Sequence, residues 1–264
     1  MGRYIMKNQD KQSIPHIINY FWFGGGQKPE TVLKYIDSWR SNCPDFEIKE
    51  WNESNYDIHK HPYMEKAYNE KMWAFVSDYA RLDVLYSHGG VYLDTDVEVI
   101  KDFSPLCENK AFFGFENSEL VNDGQGFGCV AGLPIFKEML DLYDSDEAYE
   151  FWGGEKHNVE SPKLRTLVLK RHGLRLDGSR QTVGDVEIFP TDFFCPLNYA
   201  TGRIEITENT FSIHHFDGSW KSGNSGFYTN LMRKLNRIFG EEKGKRVFDC
   251  IIRIKDNIKM ILRK

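Results

Sequence analysis

The chain has 264 residues, which suits one large domain or one domain with small additions. Hydrophobic residues make up 41% and charged residues 28%, a balance typical of a soluble globular protein. The net charge of −5 argues against nucleic acid as the main partner.

The cysteines and the apolar runs bear on the compartment. The five cysteines are odd in number, widely spaced and without a C-x-x-C pair, which argues against a disulfide framework or a thiolate metal site. No secretory signal is visible, and no apolar stretch approaches the roughly 20 residues that span a bilayer. We therefore expect a cytoplasmic protein.

Predicted elements alternate along the first hundred residues. Residues 14–23 are predicted as a buried strand that ends at three glycines, residues 29–40 as a helix, and residues 46–51 as a strand. Residues 71–87 are predicted as a strong helix with Phe75, Tyr79, Leu82 and Leu85 on one apolar stripe. Gly89 and Gly90 end this helix, and residues 91–100 follow as a strand.

The alternation continues toward the C-terminus. Residues 111–116, 186–189 and 210–215 are predicted strands, and residues 133–143 and 161–172 are predicted helices, with a glycine-rich loop at 122–128. This order predicts an α/β domain with a largely parallel sheet, in which ligands bind at the carboxyl ends of the strands.

The tail of the chain has a charge of its own. Residues 231–264 contain 11 Lys and Arg against 4 Asp and Glu, and one or two helices are predicted there. A basic tail on an acidic body suggests contact with a negative surface. Two interpretations stay open: the tail lies at the inner face of a membrane as a peripheral contact, or it packs onto the body.

Two Asp-x-Asp pairs occur among 19 aspartates, so the motif alone is a weak signal. Asp144 and Asp146 lie at a predicted helix end and are interpreted as solvated surface. Asp94 and Asp96 interrupt an apolar strand, where carboxylates are costly unless they find a cation or hydrogen-bond donors. With a bend at Thr95 they would converge on Mg²⁺ or Mn²⁺; the alternative is an acidic strand end paired with Lys or Arg.

The preceding helix carries three polar residues on one face. Ser77, Asp78 and Arg81 fall at i, i+1 and i+4, away from the apolar stripe. Together they would bind sugar hydroxyls and phosphate. The alternative is a local salt bridge between Asp78 and Arg81.

Residues 77–96 read Ser-Asp-Tyr-Ala-Arg-Leu-Asp-Val-Leu-Tyr-Ser-His-Gly-Gly-Val-Tyr-Leu-Asp-Thr-Asp. This block resembles the signature of glycosyltransferase family 32, and it also resembles the catalytic domain of the large clostridial glucosylating toxins. The resemblance implies a GT-A fold, a Rossmann-like α/β domain with a mostly parallel central sheet flanked by helices. We assign this domain to residues 1–225 and a basic helical extension to residues 226–264.

The resemblance also implies roles for single residues. Trp22 matches the tryptophan that stacks on the nucleotide base, although core packing is the alternative for this residue. Ser77, Asp78 and Arg81 match positions that hold the donor sugar. Tyr92 and Asp94 match ribose and phosphate contacts, and Asp96 matches the principal metal ligand.

Residues 214–220 read His-His-Phe-Asp-Gly-Ser-Trp and resemble the closing motif of the family. A late histidine there completes the metal site, and we assign it to His215. His214 stays open, because neighbouring side chains of a strand point to opposite faces. Ser219 and Trp220 match residues that contact the diphosphate.

The function implied is a metal-dependent, retaining hexosyltransferase. It would move a hexose from a nucleotide-sugar, with UDP favoured by the match at Trp22, to a glycan or lipid-linked glycan in cell-surface, for example capsular, polysaccharide synthesis. Mn²⁺ or Mg²⁺ held by Asp94, Asp96 and His215 would neutralise charge on the diphosphate. Residues 117–160 match the family poorly, and the acceptor is not indicated.

Two other functions were weighed. A phosphatase of the haloacid dehalogenase type also uses Asp-x-Asp, but its motif has Thr or Val where Glu98 stands and lies nearer the N-terminus. A non-catalytic sugar-binding module is disfavoured, because it has no need of the set Asp78, Arg81, Asp94 and Asp96.

Overall fold

The computed structural model describes residues 13–145, 160–217 and 225–262. Its central sheet has eight strands: β1 (Ile17–Phe21), β2 (Glu47–Trp51), β3 (Gly90–Tyr92), β5 (Ala111–Asn117), β6 (Leu120–Asn122), β7 (Phe127–Cys129), β8 (Gln181–Val183) and β9 (Val186–Phe189). A second sheet pairs β4 (Val97–Val99) with β10 (Ser212–His214).

The strand order of the central sheet is β2-β1-β3-β7-β5-β9-β8, with β6 paired to β5. Strands β2, β1, β3, β5 and β9 run in one direction, while β6, β7 and β8 run against them. The carboxyl ends of β1, β3 and β5 therefore meet at one edge of the sheet, together with the start of β7. The predicted α/β fold with a mostly parallel sheet is confirmed.

Seven described α-helices accompany the sheets: α1 (Glu30–Asn42), α2 (Pro62–Asn69), α3 (Trp73–His88), α4 (Pro134–Asp141), α5 (Ser161–Arg171), α6 (Ser225–Phe239) and α7 (Glu241–Leu262). Helix α3 ends at Gly89, whose φ of 71° suits glycine. Its buried residues include Val76, Ala80 and Leu85 as well as the polar Asp78 and Arg81, so this helix buries much more than one apolar stripe.

The single strand predicted at residues 91–100 is wrong. Strand β3 ends at Tyr92, β4 begins at Val97, and the two belong to different sheets. Between them the Asp94 N–H donates to the Gly124 carbonyl at 3.0 Å, and the Val97 N–H donates to the Asp94 carbonyl at 3.1 Å. Hydrogen bonds within this loop take the place of those that a continuous strand would make with its neighbours. The turn at Thr95 brings both aspartates to the edge of the central sheet where the carboxyl ends of β1, β3 and β5 meet, here called the ligand edge.

Aromatic residues fill the middle of the structure. Phe112, Phe113, Phe115, Phe127 and Phe136 are completely buried. Each such side chain contributes about 1.5–3 kcal/mol on removal from water. The chain is 14% aromatic, and much of that content therefore lies in the core.

The basic tail forms a helical hairpin that turns at Gly240, where φ is 80°. The Asn236 amide donates to the Ala200 carbonyl at 2.8 Å, and Arg233 Nε donates to the Tyr199 carbonyl at 3.1 Å. These contacts dock the hairpin onto the body. Within the residues described, no helix is both long and apolar enough to cross a membrane.

Candidate active site

A cavity of about 830 Å³ opens at the ligand edge of the central sheet. Seven of the predicted site residues line it together: Trp22, Ser77, Asp78, Arg81, Tyr92, Asp94 and Asp96. They come from the segment after β1, from α3, from β3 and from the turn that follows β3. Ser219 and Trp220 lie outside the described residues.

Asp94, Asp96 and His214 form a compact cluster in this cavity. One ligand atom from each lies within 4.8 Å of the others, and His214 Nε2 is 3.2 Å from Asp96 Oδ1. Burial opposes the charge of His214, but the neighbouring Asp96 prevails and raises the pKa of the imidazole. Burial, with Asp96 close by, raises the pKa of Asp94 despite Arg81. A buried carboxylate such as Asp94, whose pKa is raised in this way, favours an added cation, whereas His214 outweighs burial and lowers the pKa of Asp96.

The cluster contains His214 and not His215, to which the sequence analysis assigned the place of metal ligand. Strand β10 pairs His214 with Val97 of β4, and the alternation of side chains directs the next residue to the other face. The His215 ring stacks on Tyr35 at 4.8 Å, and its Nε2 is 2.9 Å from Glu98 Oε2. His215 nevertheless supports the site, because its backbone N–H donates to the backbone carbonyl of Asp96 at 3.0 Å.

Arg81 joins the helix to the aspartate turn. Its Nη2 donates to Asp78 Oδ1 at 2.7 Å and lies 3.5 Å from Asp94 Oδ1, and its guanidinium lies over the Tyr92 ring at 4.7 Å. The predicted local salt bridge to Asp78 therefore exists, but it is part of a larger network. Burial raises the pKa of Asp78 to about 7, although Arg81 opposes the shift.

The Asp94 carboxylate is held from two sides. The Tyr92 hydroxyl donates to its Oδ1 at 2.5 Å. On the other side Gly124 approaches so closely that a Cβ there would lie 2.2 Å from Asp94 Oδ2. Asp94 thus reaches the cavity in one orientation, set by a tyrosine and a glycine.

A buried ion pair beneath the cavity was missed by the sequence analysis. Asp123 and Arg165 are both completely buried; Arg165 Nε donates to Asp123 Oδ2 at 2.8 Å, and Ser161 Oγ donates to Oδ1 at 2.7 Å. Arg165 Nη2 also donates to the Asp78 carbonyl at 2.9 Å. Because Asp78 lies on α3, this hydrogen bond joins the buried pair to that helix and supports it. No sequence spacing signals it, because its members lie in separate segments.

Trp22 stands at the cavity wall just after β1. Its ring packs partly against the core, and its Nε1 donates to the Gly26 carbonyl at 2.6 Å. Lys28 Nζ lies 5.5 Å from the ring centroid. The ring of Trp22 therefore contacts the core and also lines the cavity.

Comparisons with known proteins agree with this site. A family described as "Glycosyltransferase sugar-binding region containing DXD motif" matches residues 29–113, which include α3 and the aspartate turn. A human alpha-1,4-N-acetylglucosaminyltransferase is 27% identical over 165 residues, covering 59% of this chain and 45% of that protein. The chain thus spans less than half the length of this curated relative. Both matches support a glycosyltransferase.

Three solved structures are similar in outline. PaToxG glycosyltransferase is 22% identical with a TM-score of 0.48, covering 61% of this chain and 70% of the other. A glycosyltransferase involved in the glycosylation of the major capsid of PBCV-1 is 12% identical with a TM-score of 0.44, covering 77% and 95%. The glycosyltransferase GlyE of Streptococcus pneumoniae TIGR4 is 11% identical with a TM-score of 0.44, covering 78% and 55%.

Proposed function

We propose that this protein is a metal-dependent, retaining glycosyltransferase of the family 32 type that moves a hexose from a UDP-sugar to a glycan. One observation carries the proposal: two carboxylates and an imidazole converge within 4.8 Å in the cavity that also holds Trp22 and the Asp78–Arg81 pair. A cation site beside an aromatic ring and a guanidinium suits a nucleoside diphosphate-sugar.

The residues present fit a divalent ion. Asp94 and Asp96 offer hard oxygen ligands and His214 offers nitrogen, a set that suits Mn²⁺, with Mg²⁺ the alternative. His214 Nε2 faces Asp96 Oδ1 at 3.2 Å, and the buried Nδ1 has no hydrogen-bond partner among the described residues. The bound ion would neutralise the charge that develops on the diphosphate leaving group.

The donor would lie along the ligand edge of the sheet. Trp22 supports the base at the β1 end, and Arg81 and Tyr92 hold Asp94 toward the diphosphate. Asp78 and Ser77 lie beside them on α3 and bind sugar hydroxyls. By resemblance, Ser219 and Trp220 donate hydrogen bonds to the diphosphate.

The reaction breaks the bond between the anomeric carbon and the diphosphate oxygen and forms a bond to an acceptor oxygen. In front-face attack with retention, the acceptor proton passes to the leaving phosphate oxygen, so no protein nucleophile is required. The protein's part is to orient both substrates and stabilise the separating charges.

The phosphatase alternative would make the Asp94 carboxylate a nucleophile. That carboxylate instead accepts from Tyr92, lies near Arg81 and is covered by Gly124. These contacts suit a fixed ligand better than an attacking group.

The tail extends the proposal to the acceptor. On α7, Phe248, Ile252 and Lys255 are half-buried, while Val247 and Ile251 are exposed, as is Ile254 one turn further on. An exposed apolar stripe among lysines and arginines suits an anionic lipid surface. We propose that the protein works at the inner face of a membrane on a lipid-linked glycan, in cell-surface polysaccharide synthesis.

A donor panel tests the central proposal. The protein is incubated with Mn²⁺ and UDP-glucose, UDP-galactose, UDP-N-acetylglucosamine or GDP-mannose, and the released nucleotide is measured with and without EDTA. Mn²⁺-dependent release from a UDP-sugar is expected. Release of phosphate from p-nitrophenyl phosphate, with none from the sugar nucleotides, would favour the phosphatase instead.

A further inference from the structure

Glu116 lies in the cavity at a place that the donor residues leave open. It stands near the carboxyl end of β5, is half-buried, and lines the same cavity as Asp94. Strand order places the β1 end with Trp22 on one side of β3, and β5 on the other side beyond β7. With about 4.8 Å between neighbouring strands, β5 lies roughly 10 Å from β3 on the side away from the base.

Hydrogen bonds connect Glu116 to the aspartate turn. The Asn122 amide donates to Glu116 Oε2 at 2.6 Å, and Asn122 Oδ1 accepts from the Gly124 N–H at 2.6 Å. Gly124 in turn accepts from the Asp94 N–H at 3.0 Å. The carboxylate is therefore held in position relative to Asp94 by a continuous chain of contacts.

No lysine or arginine in the described parts of the chain forms an ion pair with Glu116, although its charge is one of those that raise the pKa of His214, after Asp96 and Asp94. Of the described cavity-lining residues Arg81 alone is a Lys or Arg, and it already pairs with Asp78 and Asp94. Glu160 is a further carboxylate of the lining, but it pairs with Lys163 at 3.1 Å. A half-buried carboxylate without a cation needs hydroxyl or amide donors, and its field repels other anions.

We propose that Glu116 binds hydroxyl groups of the acceptor sugar and selects acceptors that are neutral next to the reacting hydroxyl. This inference rests on the proposed glycosyltransferase function, since it assigns the β5 end of the cavity to the acceptor. Phosphate or carboxylate groups on the sugar that enters this end would be rejected. A lipid-linked acceptor would have to present a sugar remote from its own phosphates.

The test separates transfer to a sugar from transfer to water. Wild-type protein, E116Q and E116A are assayed with Mn²⁺, the best UDP-sugar of the panel, and p-nitrophenyl β-glucoside or p-nitrophenyl β-glucuronide as acceptor. E119Q is the matched control, because Glu119 is exposed in the adjacent β5–β6 turn. Glutamine keeps an oxygen to accept from Asn122, so E116Q removes the charge without removing that hydrogen bond.

E116Q is expected to lower kcat/KM for the glucoside about tenfold or more, as loss of a charged hydrogen-bond acceptor does. Donor hydrolysis, which needs no acceptor sugar, should fall by a smaller factor than transfer to the glucoside does. In wild-type protein, kcat/KM should be higher for the glucoside than for the glucuronide. In E116Q, the ratio of these two values should be smaller.

Two results would overturn the assignment: E116Q and E119Q behave alike, or E116Q loses hydrolysis and transfer by the same factor. Wild-type protein that uses the glucuronide as well as the glucoside would overturn the selectivity. If wild-type protein hydrolyses no UDP-sugar, the proposed function itself fails and this inference falls with it.

Discussion

Gly124 lies against the Asp94 carboxylate so closely that a methyl group there would approach Oδ2 to 2.2 Å. The nearest atom is the end of the Asp94 side chain and not backbone. The fold can therefore accept the methyl group, but the Asp94 carboxylate has to leave its position in the cavity. We therefore expect Gly124→Ala to lower sugar transfer by about a hundredfold, as displaced catalytic groups do. Steady-state kinetics with the best donor measures the loss.

Gly128→Ala is the matched comparison. It adds the same methyl group in the core, 2.7 Å from the Phe112 ring, where the ring has no open space to enter. Overpacking of this kind costs about 1–3 kcal/mol of stability. Gly124→Ala should leave the melting temperature nearer the wild-type value than Gly128→Ala does; the reverse order would contradict the assigned contact.

The two adjacent histidines should separate in their response to metal. His214→Gln removes a proposed ligand and is expected to raise the Mn²⁺ concentration for half-maximal activity at least about tenfold, since even outer-shell partners cost 10–100-fold. His215→Gln loses only the contact to Glu98 and the stacking on Tyr35. A Mn²⁺ titration of both variants decides, and a larger shift for His215→Gln would return the metal role to that residue.

Metal removal and Asp96→Asn should have the same consequence. Loss of charge neutralisation worth several kcal/mol corresponds to a fall of about a thousandfold in the rate of transfer. EDTA should abolish transfer and excess Mn²⁺ should restore it, whereas Mn²⁺ should not rescue Asp96→Asn. Circular dichroism confirms that the variant is folded, and transfer at the wild-type rate by folded Asp96→Asn would rule out the metal role.

The buried pair of Asp123 and Arg165 should govern stability. Asp123→Asn removes the carboxylate that pairs with the buried Arg165 at 2.8 Å and with Arg81 at 3.5 Å, and breaking such a buried pair costs about 3–5 kcal/mol. Asp185→Asn is the matched control, because it breaks an exposed 2.8 Å pair with Lys110 that is worth about 1 kcal/mol or less. Urea unfolding measures both free energies, and equal losses would show that the buried pair contributes nothing beyond an exposed one.

The exposed face of α7 that carries Val247, Ile251 and Ile254, here called its outer face, should bind anionic lipid. Co-sedimentation with phosphatidylglycerol–phosphatidylcholine vesicles should exceed that with pure phosphatidylcholine and should weaken as NaCl rises. Replacing Ile251 and Ile254 by glutamate should lower binding about tenfold or more, while Leu176→Glu, at an exposed apolar residue of the body, should not. Equal binding to both vesicle types would contradict the proposal.

Much of the site could be predicted because it is local in sequence. Ser77 to Asp96 lie on α3, its glycine stop, the short strand β3 and the turn that follows β3. The resemblance of this one block to a known family therefore indicated most of the side chains that share the cavity. The sequence analysis assigned the late histidine of the site to His215, because a three-residue strand carries too little pattern to show which side chain faces the cavity. The pairing of β10 with β4, a tertiary contact, places His214 rather than His215 beside Asp94 and Asp96.

Two other features depended on contacts between distant segments. Residues 127 and 128 were predicted as the end of a glycine-rich loop, yet β3 and β5 on either side supply hydrogen bonds that make them part of strand β7. Asp123 and Arg165 carry no periodic signal, and only the packing of α5 beneath the cavity brings them together. Sequence patterns describe one segment at a time, so neither feature was predicted.

The hairpin is hydrogen-bonded to residues 199 and 200, so the tail and the rim of the cavity are structurally connected. Arg233 and Asn236 hold the backbone of the loop whose Tyr199 lines the cavity. A truncation meant only to detach the protein from lipid would therefore also release part of the wall around the substrate. Surface anchoring and substrate access can be separated by substitutions on the outer face of α7, but not by deleting the whole hairpin, which includes Arg233 and Asn236 on α6.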